Sequence, residues 1–61
     1  MRRVRLRRVL LGMSQAELAR RVGKSPAWMS LVERGYLRPE PPMLARLKAS
    51  LNDEGETNGR G

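Results

Sequence analysis

The chain has no cysteine, no histidine and no phenylalanine, and its aromatics are one tryptophan and one tyrosine in 61 residues. Without cysteine there is neither a disulfide staple nor a thiolate metal site, and without histidine the common alternative zinc ligand is missing too. The fold must therefore rest on apolar packing. Catalytic chemistry is equally undersupplied. There is no imidazole or thiol, no cluster of carboxylates spaced for acid–base work and no glycine-rich phosphate loop, so the chain is not expected to be an enzyme or to hold a metal or cofactor. The aromatics are too few for the stacking platforms that single-stranded nucleic-acid readers use. Apolar runs such as Val9-Leu10-Leu11 fall far short of the ~20 residues of a membrane span and of the apolar core of a signal peptide. A cytoplasmic protein with no membrane partner and no small-molecule ligand is the expectation.

Acidic residues are also scarce. Six face thirteen lysines and arginines, a net charge of +7, and the imbalance is uneven along the chain. Residues 1–52 carry twelve basic side chains against Glu17, Glu33 and Glu40, a net +9, whereas 53–61 carry Arg60 against Asp53, Glu54 and Glu56, a net −2. A field of this sign draws phosphate backbones and speeds association with them. Sixty-one residues allow one domain, of a size that buries only about 60% of its unfolded surface.

The densest local signals lie in residues 14–35, SQAELARRVGKSPAWMSLVERG. Ser14 and Glu17 form an S-x-x-E capping box, in which serine and glutamate each satisfy a backbone N–H left unpaired by the first helical turn. A helix is expected over about 15–22, burying Leu18, Ala19 and Val22, and Gly23 supplies the positive φ that ends it. Ser25 and Pro26 restart the chain as N-cap and first helical residue, and a helix over about 26–34 buries Met29 and Val32 before Gly35. The short connection suits two helices crossing at a large angle. A first helix is expected over about 3–11, with Val4, Arg8 and Leu11 on one face and Leu6, Val9 and Leu10 mostly on the other. Pro41 and Pro42 open a fourth, with Leu44, Leu47 and Leu51 at i, i+3, i+7. Residues 52–61, NDEGETNGRG, hold no apolar residue and are expected to be a disordered polar tail.

The stretch resembles the helix-turn-helix of the Cro and phage-repressor type, the Xre family. Ser14, Gln15, Leu18, Ala19, Gly23, Ser25, Met29, Ser30, Glu33 and Gly35 fall on the family pattern without a gap, and the likeness extends over about residues 3–51. It implies an all-α, four-helix, lambda-repressor-like domain over 1–51 that lacks the fifth helix many members carry. It also implies double-stranded DNA as partner and a role as a small phage- or plasmid-type repressor, nucleoid-associated when bound. The second helix would then cross the backbone and the third enter the major groove. Base-reading positions correspond to Ser25, Pro26, Ala27, Ser30 and Leu31. Backbone positions correspond to Gln15, Lys24, Arg34 and Arg38, and Arg8 with Glu33 matches a pair that bridges helices 1 and 3; Trp28 reads either as a ring against the DNA backbone or a base edge or as a partly buried anchor over helix 2. Arg2, Arg3 and Arg5 could add a basic arm, while Arg20 and Arg21 read as a solvated face.

At the reading positions this chain departs from the family habit of Gln, Asn, Arg or Lys. Serine hydroxyls accept any partner, and Ala27 or Leu31 can touch thymine methyls, so weak sequence selectivity leaning on DNA shape is expected. The family reads palindromic half-sites as a two-fold dimer. Here the candidate partner surface, for a second copy or another protein, is Leu6, Val9 and Leu10 on helix 1. The alternative function is a protein-binding adaptor on the same fold, with RNA polymerase or an antitoxin partner and weak DNA contact.

Overall fold

Three short helices in succession end in the same way, and each ending is set by a glycine. In a computed structural model that describes the backbone of residues 1–59 and the side chains of 1–51, α1 spans Arg2–Leu10, α2 Gln15–Arg21, α3 Pro26–Glu33 and α4 Pro41–Gly59. After α2 the amide of Gly23 donates to Arg20 O at 3.1 Å and that of Lys24 to Ala19 O at 2.8 Å. This is the paired bonding of a Schellman motif, and it needs the left-handed backbone that Gly23 adopts at φ 72°. Gly12 with Met13 closes α1, and Gly35 with Tyr36 closes α3, by the same two bonds. Each helix is thus stopped within a turn of where its carbonyls would otherwise lack partners.

The helix starts are fixed by serines. Ser14 Oγ accepts the Glu17 amide at 3.0 Å and Ser25 Oγ accepts the Trp28 amide at 3.1 Å, with Pro26 in the first turn of α3. The expected capping box forms only by its serine half. Both oxygens of Glu17 are taken by Arg20 and Arg21, one turn along the same helix, because two cations outbid a single backbone amide. Those guanidiniums also hold the Glu17 carboxyl below its usual range, Arg21's hydrogen bond first and Arg20's charge next.

All four helices contribute to one core: Val4 from α1, Leu18, Ala19 and Val22 at α2, Met29 and Val32 from α3, Leu47 and Leu51 from α4. α2 packs most extensively on α3, and α1 on α4. Leu44, which shares the i, i+3, i+7 spacing with Leu47 and Leu51, is only half-buried in the first turn of α4, where Met43 packs on the core instead. Met43, Leu37 and Trp28 close the side of the core, and Pro39 is buried in the loop between α3 and α4. No strand occurs among the described residues. The helical path of α4 runs on past Leu51, where the sequence reading ended it. The expectation of a disordered polar tail over 52–61 falls on residues of which only the backbone of 52–59 is described.

Candidate nucleic-acid interface

The exposed face of α3 is defined by what the opposite face buries. With Met29 and Val32 fully buried, Pro26 and Ala27 stand in solvent one turn from Ser30, which is half-buried, and Leu31, which is exposed. The structure thereby brings Pro26, Ala27, Ser30 and Leu31 onto one side of the helix, along most of its length. Ser25 lies beside them; its oxygen already accepts the Trp28 amide, which leaves its hydroxyl proton and one lone pair to offer outward. No forked amide or guanidinium stands on this face.

Behind it lies a buried polar junction. Arg8 of α1 donates to Glu33 of α3 through Nε at 2.6 Å and Nη2 at 3.1 Å, and its third donor reaches Met13 O at 2.8 Å. Gln15, the first residue of α2, donates from Nε2 to Glu33 Oε1 at 3.0 Å. One carboxylate thus ties together the first three helices. Its side chain is 2% exposed and that of Arg8 11%. Burial pushes the Glu33 carboxyl up, but hydrogen bonds from Arg8 and Gln15, with the charges of Arg8 and Arg5, outweigh it and hold it below its ordinary value. Every buried polar side-chain atom among the described residues is satisfied. The Gln15 bond was not legible beforehand: the sequence places Gln15 at a helix start, where nothing shows that its amide turns inward.

Cations ring the exposed face. Lys24, immediately before the α3 N-cap, sets Nζ 5.5 Å from the centre of the Trp28 ring, and Arg34 at the other end of α3 lies 5.7 Å over the Tyr36 ring. Arg38 is exposed on the α3–α4 loop. Trp28 itself is half-buried and packs against the core, so it serves as an anchor whatever else its outer edge touches. On α1, Leu6, Val9 and Leu10 are 57%, 52% and 68% exposed. Leu6 and Leu10 line a groove of 720 Å³ between α1 and α4, with Arg3, Arg7 and Lys48 among its other walls.

No group of three His, Cys, Asp or Glu comes together among the described residues. No helix among them is long and apolar enough to cross a membrane. Compared with known proteins, residues 1–50 match the family model described as a helix-turn-helix domain. No curated protein and no solved structure matches the chain.

Proposed function

The chain belongs to the helix-turn-helix domain family, and from that premise we propose that it is a double-stranded DNA-binding transcriptional regulator of the small repressor type. α3 enters the major groove and α2 lies across the backbone. The observation that carries this reading is the outward α3 face of Pro26, Ala27, Ser30 and Leu31, flanked at its two ends by Lys24 and Arg34. Ser25, Pro26, Ala27, Ser30 and Leu31 meet base edges, while Gln15, Lys24, Trp28, Arg34 and Arg38 meet the strands. The Arg8–Glu33 bridge fixes the angle of α3 against α1. Because that face holds no bidentate reader, each base step forgoes about 1–3 kcal/mol of discrimination, and selectivity rests on methyl contact and DNA shape.

Measuring affinity for a duplex at several salt concentrations tests this directly. If about six phosphates are neutralised, log K against log salt should fall with a slope near −5. A slope near zero would remove DNA from the account. Selection from random duplexes at two salt concentrations then separates half-site reading, which yields a palindrome, from binding that depends only on salt.

A second reading is favoured by the exposed Leu6, Val9 and Leu10, which leave an apolar stripe on a helix that otherwise consists of arginines and Val4. On this reading α1 docks a second copy or another protein. Sedimentation of the wild type beside a Leu6→Glu, Leu10→Glu variant, alone and with DNA, is the check, and identical profiles would exclude self-association through this face.

A further inference from the structure

Three cations, Lys24, Arg38 and Arg46, line one open groove of 490 Å³ beside the start of α3. They come from three different segments: the α2–α3 turn, the α3–α4 loop and α4. Trp28, Leu37 and Met43 form its apolar lining, all half-buried against the core. Among the described residues neither Arg38 nor Arg46 has an ion-pair partner, and Lys24 is held over the Trp28 ring. An apolar ring beside a cationic rim suits a ligand with one apolar face and one anionic edge, which is the make-up of a sugar-phosphate segment.

We propose that this groove takes the DNA strand bordering the major groove, with a sugar against Trp28 and a phosphate between Arg38 and Arg46. The inference rests on the DNA-binding reading and extends it to α4. Its placement argues for DNA over an acidic protein segment. The groove begins at Lys24, the residue before the Ser25 cap, and so adjoins the end of α3 that meets the bases. It also gives Trp28 one role with two faces, an inner edge in the core and an outer edge on the strand. Arg46 carries no signal in the sequence beyond its charge; only the approach of α4 to the α2–α3 turn makes it part of a site. Glu40 is the groove's single carboxylate and opposes an incoming phosphate.

The test is binding of a labelled random-sequence duplex between 50 and 200 mM salt by wild type, Arg46→Ala, Glu40→Gln and, as an exposed cation outside the groove, Arg21→Ala. Arg46→Ala should flatten the log–log slope by about 0.9, so that its deficit against wild type shrinks roughly 3.5-fold over that range. Glu40→Gln should bind more tightly, Arg21→Ala should keep the wild-type slope, and Trp28 emission should change on saturation. A wild-type slope near zero overturns the DNA-binding reading and this proposal with it. A steep wild-type slope that Arg46→Ala leaves intact, or that Arg21→Ala flattens equally, overturns this proposal alone, as does tighter binding failing to appear in Glu40→Gln or an unchanged Trp28 emission. If Arg46→Ala keeps the DNA slope but loses binding of a labelled decaglutamate peptide, the groove belongs to an acidic protein partner instead.

Discussion

Glu33 is the residue on which the orientation of three helices converges, because Arg8 and Gln15 both donate to it from neighbouring elements. Removing one member of a buried pair leaves a charge without compensation, at a cost of about 3–5 kcal/mol, enough to unfold a domain this small. Replacing both members by apolar residues of similar volume is often neutral. Glu33→Leu should therefore abolish the helical circular dichroism at room temperature or nearly so. Arg8→Met with Glu33→Leu should recover much of the wild-type urea midpoint, falling short by what the Gln15 amide and the Met13 carbonyl lose with their partners, and equal losses in the single and double variants would show that the bridge contributes no buried charge cost. The same carboxylate predicts an acid limb. Its native pKa is depressed, so the unfolded state binds more protons between the native value and the ordinary glutamate value near ~4.3. The stability it confers is complete above that ordinary value and is lost as pH falls through the native one. Urea midpoints measured downward from pH 6 should hold until about pH 5 and then drop, and this drop should be smaller in the double variant.

At the scale of the element, α3 is held in place by residues separate from those it turns outward. Ser25, Pro26 and the Gly35 closure define its ends, and Met29 with Val32 seats it, so the outward residues are free to vary without loss of fold. Ala27 is exposed and in the first turn. Ala27→Gln should keep the melting temperature and add an amide able to pair with adenine in a bidentate way, worth about 1–3 kcal/mol. Selection with this variant should enrich adenine at one position roughly 5- to 150-fold over wild type, and an unchanged base profile would show that this face of α3 does not meet base edges. The outer and inner faces were legible from the sequence because helical periodicity is local. Val4 goes in and Leu6, Val9 and Leu10 stay out, as the 3.6-residue repeat requires, and the glycine and serine punctuation sets the bounds of α2 and α3 to within a residue. What periodicity does not encode is how elements cross. The inward turn of Gln15 and the approach of Arg46 to Lys24 and Trp28 each depend on distances between helices that no one-dimensional pattern states, whereas the capture of Glu17 by Arg20 and Arg21 is an i,i+3 and i,i+4 pairing that helical spacing does encode.

For the molecule as a whole, charge and size pull against each other. A core of eight buried apolar residues supports a domain whose 1–52 portion carries a net +9, and self-repulsion of that charge opposes compaction. Few internal anions relieve it. Among the described residues Glu33 is committed to Arg8, Glu17 is shared by Arg20 and Arg21, and Glu40 stands in the Trp28 groove. A polyanion that binds only the native state then acts as the missing counter-charge, and it stabilises by linkage as well as by screening. With duplex at 100 times its dissociation constant the gain is about 2.7 kcal/mol. Since about 1 kcal/mol moves the melting temperature of a domain near this size by about 4–8 °C, duplex should raise it by roughly 10–20 °C at low salt. The two effects of salt separate the contributions. Raising salt without DNA screens self-repulsion and should raise the melting temperature modestly, whereas with DNA it dissolves the complex and should lower it toward the free value. Melting curves with and without duplex, at 50 and 500 mM salt, should therefore converge as salt rises. Parallel curves at both concentrations would mean that the basic surface meets no phosphate backbone, and that the +9 serves solubility alone.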